Sequence, residues 1–369
     1  MTRNEEVVHY AIERIHHGFS EDIDLLLCYG SYVNGTADED SDVDMYFIPR
    51  NEKGEGLGET FILNGIGYDM FGMSWERVQG IADFKESLSP LVGDVKILYC
   101  RSDHETDRFK QLQQLMQTHL RDARYMHDRA CDRLEKAVAI HCDRIPASSI
   151  GRIRMGAGRI LMLLAEAVAY MNQTYFHRGL KTQYADLMEL KRQPLEFTSL
   201  YHDVITENEA EGIMDKCEKI IRNTIDFLEM DRETTFLQTT VNPCAEGNGP
   251  TDPKIDKAMD YDGFARWYEE LSSTFNKVYR YSERKDHIRA FISACCLQYS
   301  LESDLDVPLV PTDLLSEFQH DDLGKLASMT REIERNCIAE IERNHAAIRR
   351  VGSVDELMRM HGMRKEGSE

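Results

Sequence analysis

Residues 26–48 read LLCYGSYVNGTADEDSDVDMYFI. An apolar run ends at Gly30-Ser31; after ten intervening residues, Asp42 and Asp44 take alternate positions leading into a second apolar run, Met45 to Ile48. Side chains alternate across a strand, so residues two apart leave from one face. The two carboxylates therefore point the same way. Held side by side, each raises the other's pKa unless a cation sits between them. Mg²⁺ suits that place, because it is commonly held by one or two carboxylates and completes its shell with water and phosphate oxygens. The Gly-Ser turn lets backbone approach a ligand closely, and its N–H groups and hydroxyl can hold phosphate oxygens. Strand, Gly-Ser turn and metal-binding strand together describe a nucleoside triphosphate site. A plain acidic hairpin would also explain DEDSDVD, but it would not require the apolar flanks or the Gly-Ser pair at this spacing.

Gly30-Ser31 followed by Asp42-Val43-Asp44 resembles the signature of the DNA polymerase β-like nucleotidyltransferase superfamily. Within it the small-molecule branch, with kanamycin and lincosamide nucleotidyltransferases, is the nearest likeness. The close match covers about the first 100 residues, and the rest is loosely similar as a helical appendage. The resemblance implies an α+β N-terminal nucleotidyltransferase domain, a mixed sheet with flanking helices, followed by all-α helical bundle regions. It implies an enzyme that moves a nucleoside monophosphate, AMP from ATP in the first instance, onto a hydroxyl with the help of two Mg²⁺ ions. Gly30 and Ser31 would then hold the triphosphate, and Asp42 and Asp44 would ligate metal. The superfamily usually has a third carboxylate on a neighbouring strand, and in Ile66-Gly67-Tyr68-Asp69-Met70-Phe71 the candidate is Asp69. An unpaired carboxylate in such an apolar run costs on the order of several kcal/mol to desolvate, so Asp69 needs a partner or a metal. A hydrogen-bonded Asp on an edge strand is the plainer alternative.

Transfer to a hydroxyl also needs a general base, and two glutamates compete. Glu166 is the only carboxylate between Ser149 and Asp186, and its apolar surroundings would raise its pKa, as a base requires. Resemblance to kanamycin nucleotidyltransferase instead points to the first helix of the helical region, where HDRACDRLEKAVAI offers Glu135. The plain alternatives are a solvated Glu135 and a Glu166 paired with Arg152, Arg154 or Arg159. For the triphosphate and leaving pyrophosphate, Lys96 in DVKILYC and the loop residues His177, Arg178 and Lys181 are candidate cations. Lys96 reads equally well as an edge-strand lysine, and the loop as an ordinary polar connection.

With 44 Lys+Arg against 65 Asp+Glu the chain carries a net charge of −21. Such a field repels polyanions and attracts cations, so nucleic acid is an unfavourable acceptor. A small-molecule acceptor, cationic and of aminoglycoside type, would suit an acidic cleft. No stretch approaches the ~18 consecutive apolar residues of a membrane span, and the N-terminus lacks a signal-peptide core, so a cytoplasmic location is expected. Nine scattered cysteines without CxxC spacing fit reduced structural thiols. Two other functions stay open at this point: an antitoxin-like enzyme that adenylylates a partner protein, and a nucleotide-sensing interaction protein. Oligomeric state, homo-oligomer included, is open as well.

The chain divides into a catalytic domain at 1–115, an acceptor-side helical bundle at 116–238, a linker at 239–256 rich in Pro, Gly and Asn, and a C-terminal helical domain at 257–369. The pattern predicts a helix over 5–19 and strands at about 24–29, 43–48, 61–72 and 94–99, with GEGLGE at 54–59 as a flexible hairpin. ILMLLAEAVAYM, apolar nearly all round, places the helix at 150–171 in the centre of a bundle. Further helices are expected at 181–192, 207–231, 257–280, 284–301, 312–319 and 321–349.

Overall fold

The computed structural model describes residues 1–35, 37, 41–142, 149–233, 260–303 and 313–363, with the backbone alone for Lys181 and 231–233. The expected linker at 239–256 lies outside the described residues. The N-terminal unit runs α1 (Arg3–Gly18), β1 (Ile23–Tyr29), α2 (Ser31–Asn34), β2 (Asp44–Pro49), α3 (Glu52–Glu55), β3 (Glu59–Leu63), β4 (Ile66–Gly72), α4 (Trp75–Ala82), α5 (Pro90–Gly93) and β5 (Lys96–Cys100). Thr2 and Glu5 form a capping box that starts α1, and the helix buries Val7, Tyr10, Ala11 and Ile15 against the sheet.

Among the described residues six strands form one mixed sheet in the order β5-β1-β2-β4-β3-β6, where β6 is Arg350–Val351. β2 pairs parallel with β4, β3 parallel with β6, and the remaining neighbours are antiparallel. Alternation divides the strand residues between two cores. Leu26, Cys28, Met45, Phe47, Phe61 and Met70 face α1 and α15 (Val354–Met360). Leu25, Leu27, Tyr46 and Ile48 face α4, α5, and the helices α6 (Asp103–Arg121), α7 (Ala123–Cys142) and α8 (Ile150–Met171).

A third core joins α8 to α9 (Gln183–Met188), α10 (Phe197–Thr206), α11 (Ala210–Glu233), α12 (Tyr261–Glu283), α13 (His287–Ser303) and α14 (Gly324–Arg343). α8 is the central helix: most of its residues are buried, as an all-round apolar sequence requires. Gly158 lets it come against Cys295 of α13, where a Cβ would overlap the sulfur. The helices on either side of the expected linker thus share one hydrophobic core.

Several elements differ from the sequence expectation. The single strand at 61–72 is a hairpin, broken at Asn64-Gly65, both with positive φ. GEGLGE is no hairpin: it opens as the helical turn α3, and β2 and β3 are separated in the sheet by β4. α10, β6 and α15 were not expected from the sequence. The last two return the chain to the N-terminal unit, where the buried Glu59 of β3 accepts from Arg14 at 2.7 Å, Tyr10 and Arg349, and meets His361 Nε2 at 2.9 Å. Among the described residues all eight cysteines are free thiols, and no helix is long and apolar enough to cross a membrane.

Candidate active site

The hydrogen-bonded strand β2 begins at Asp44, so Asp42 lies in the approach to it. That approach is clamped from α1: Asn4 Nδ2 donates to the carbonyls of Ser41 (3.0 Å) and Asp42 (3.3 Å), and Arg3 Nη2 donates to Ser41 (3.0 Å). Tyr68 of β4 donates to Asn4 Oδ1 at 2.7 Å and fixes the clamp. Parallel pairing aligns Met45 with Met70, so Asp44 and Asp69 precede aligned residues and stand side by side. Tyr29 of β1 is the cross-strand partner of Asp44.

The carboxylates reach one another electrostatically. Burial first, then Glu270, Asp44 and Asp42, push the Asp69 carboxyl up to about 7. Burial followed by Asp44, Asp69 and Asp42 raises the Tyr29 phenol. Gly30 makes the close approach possible: it has φ +73° and ψ −149°, and a Cβ there would overlap Asp44 Oδ2 and lie 3.4 Å from Cγ. Only glycine adopts that backbone without strain.

The two sides meet across a cavity of about 640 Å³. Gly30, Ser31, Asp42 and Asp44 line it from the sheet, and α8, α12 and α13 line it from the helical side. α12 is seated directly on the β3–β4 hairpin. Ser272 and the carbonyl of Glu269 occupy the space a side chain at Gly67 would need, Thr60 donates to Glu269 Oε2 at 2.6 Å, and Asn276 donates to the carbonyl of Gly65 at 3.0 Å. This seating brings Lys277 to the aspartates. Burial alone would lower its ammonium pKa, but Asp42 and Asp44 override that and raise it. Lys277 is therefore a cation with surface open to the cavity.

Of the remaining candidates, Glu166 lines the cavity. It accepts from Ser87 Oγ and Arg133 Nε, each at 2.7 Å, and burial raises its pKa against the pull of both. Its arginine partner comes from α7, not from Arg152, Arg154 or Arg159. Glu135 is exposed on α7 and away from the cavity. Lys96 opens the edge strand β5, exposed and likewise away from it. Arg178 lines the cavity while ion-paired with Asp186. His177 beside it is hydrogen-bonded to Asp94 at 3.0 Å, which raises its pKa. Lys181 ends a 3-10 turn, Gly179–Lys181, in the same loop. Sequence reasoning missed Lys277, Glu270 and Arg280. Their signal was a polar stripe on α12, which reads as a solvent face until the helix is known to lie on the sheet.

Among the described residues no three His, Cys, Asp or Glu side chains form a preorganised metal cage. The donor set nonetheless fits Mg²⁺, which needs one or two carboxylates and takes its other oxygens from water and phosphate. Asp42 and Asp44 would supply those carboxylates, with Asp69, its carboxyl raised first by burial and then by Glu270, Asp44 and Asp42, beside them.

Residues 145–234, which span α8 to α11, match the family model of the KNTase C-terminal domain. No curated protein sequence matches the chain. Among solved structures, it is similar to a nucleotidyltransferase-like protein from Exiguobacterium sibiricum, at 11% identity and a TM-score of 0.36, over 97% of this chain and 95% of that one.

Proposed function

We propose that this chain, whose helices α8 to α11 match the KNTase C-terminal domain, is a nucleotidyltransferase that moves a nucleoside monophosphate from its triphosphate to a hydroxyl of a small acceptor. The observation that carries the reading is the shared cavity: a Gly-Ser turn and paired aspartates on one wall, helices able to shape an acceptor pocket on the other. Its volume is within the ~300–1,000 Å³ usual for ligand sites.

Ser31 and the backbone at Gly30 would hold the triphosphate, with Lys277 and Arg280 facing its charge across the cavity. Asp42 and Asp44, joined by Asp69, would hold Mg²⁺, which when bound supplies charge stabilisation at the transferring phosphate. The acceptor oxygen attacks the α-phosphorus, the bond to the bridging oxygen breaks, and pyrophosphate leaves. Glu166 would take the hydroxyl proton, since it lines the cavity and burial favours its protonated form. ATP is the first donor to try.

The test is pyrophosphate release from each common nucleoside triphosphate with Mg²⁺ and a panel of hydroxylated acceptors. Release that depends on acceptor and disappears in Asp42→Asn, with the variant still folded, supports the reading. Full turnover in Asp42→Asn would sink it.

A further inference from the structure

Three helices each offer one face to the cavity at helical spacing: Arg159, Met162, Leu163 and Glu166 on α8; Ser273, Thr274, Lys277, Arg280 and Tyr281 on α12; Arg289, Ile292, Ser293 and Cys296 on α13. Their charges are opposite to what the net charge of the chain suggests. Among the described residues of these faces Glu166 is the one carboxylate, and the Arg133 guanidinium already meets it. Arg159, Lys277, Arg280 and Arg289 are cationic. Two of these arginines are held in place by aromatic faces: Arg159 lies 4.5 Å from the centre of the Tyr299 ring, and Arg289 lies 5.8 Å from that of Tyr281. The Arg159 guanidinium, stacked at 4.5 Å on its ring, can still present an edge of N–H donors to an anion. Asp286 pairs with Arg289 at 3.2 Å and offsets part of its charge. Between these groups the wall is apolar, with Met162, Leu163, Ala169, Phe176 and Ile292.

A polycation would have to shed water against this wall with one carboxylate to meet it, and that one already engaged. We propose that the acceptor is a hydroxyl compound with an apolar body and a negative charge, the charge held by Arg159 and Arg289 and the body by the apolar strip, and that aminoglycoside-like polycations are refused. The inference rests on the transfer reading above and reverses the cationic acceptor expected from net charge.

The test uses two fluorescent probes on the full chain, 8-anilinonaphthalene-1-sulfonate as an apolar anion and dansylcadaverine as an apolar cation, with neomycin as a competing polycation. The anion should bind at least about tenfold more tightly than the cation, and neomycin should displace neither. Arg159→Met and Arg289→Met should each narrow that ratio, Arg159→Lys should keep most of it, and Leu163→Trp should block both dyes by filling the strip. Equal binding of the two dyes, a ratio unmoved in both methionine variants, or displacement by neomycin would overturn the proposal. If the wild-type chain binds the anion as described yet never binds a nucleoside triphosphate with Mg²⁺, the transfer reading fails separately.

Discussion

Replacing Gly30 by alanine tests how the site is held, because the structure provides its own control a few residues away. Gly35 ends α2 with φ +68° and ψ 20°, and a Cβ there would meet nothing within 4 Å. Gly35→Ala should therefore cost only the left-handed backbone penalty, roughly 1–2 kcal/mol. Gly30 has a comparable φ, but its ψ of −149° lies where glycine alone is comfortable, worth about 1–3 kcal/mol. Its new methyl would also overlap Asp44 Oδ2. The carboxylate must rotate away, and with it goes a proposed metal ligand. Thermal unfolding should thus show both variants destabilised, Gly30→Ala at least as much as Gly35→Ala. Calorimetric titration with Mg²⁺ and nucleoside triphosphate should separate them, with Gly35→Ala near wild type and Gly30→Ala weaker by about tenfold or more, a loss of ~1.4 kcal/mol or above. If Gly30→Ala binds nucleotide as well as Gly35→Ala, packing against Gly30 does not position Asp44 for ligand.

Other consequences can be checked in parallel. Arg133→Leu strands Glu166 without its guanidinium and should cost about 3–5 kcal/mol in denaturant titration, of which Arg133→Leu combined with Glu166→Leu recovers a part; an undisturbed single variant would refute the pairing. Asp69 ionises at about 7 in the fold and near 3.9 unfolded, so between those values the folded state binds the extra proton. Metal-free stability should then fall as pH rises from about 4 to about 7 and level off above, a slope that Asp69→Asn flattens. Lys277→Met removes the cation facing Asp42 and Asp44; Mg²⁺ alone should bind more tightly while the triphosphate binds less tightly, and a change of the same sign in both would contradict the proposed placement.

How much of this was legible in the sequence depends on distance along the chain. Parity suggested that Asp42 and Asp44 share a face, although β2 begins only at Asp44, and the apolar surroundings of Asp69 marked it as a carboxylate in need of a partner. Its neighbourhood with Asp44 came from a parallel β2–β4 pairing that no local pattern announces. Asn64-Gly65 was readable as a hairpin turn, since consecutive positive φ values favour that pair, but apolar residues on both sides hid it inside one long run. Apart from Glu166 and Arg178, the other wall of the cavity was out of reach. Lys277 and Arg289 lie more than 200 residues beyond Asp44, and on an amphipathic helix a polar stripe looks the same whether it faces water or a substrate. Net charge is a poor guide to the cavity for a related reason: it sums the whole surface, while the cavity samples a few side chains.

The return of the chain to its own first sheet has a consequence for the order in which the protein can assemble. Leu63 at the edge of β3 waits for Val351, about 290 residues later, which at ~5–20 residues per second of synthesis is on the order of 15–60 s. For that interval β3 has an open edge, Glu59 lacks Arg349 and His361, and nothing covers Gly67 until α12 emerges. The aspartates are made early, but the cation they face and the strand that closes their sheet are made more than 200 residues later. A nascent chain can therefore hold the signature of the site for most of its synthesis without holding the site, and its exposed β3 edge is where a chaperone would have the most to protect.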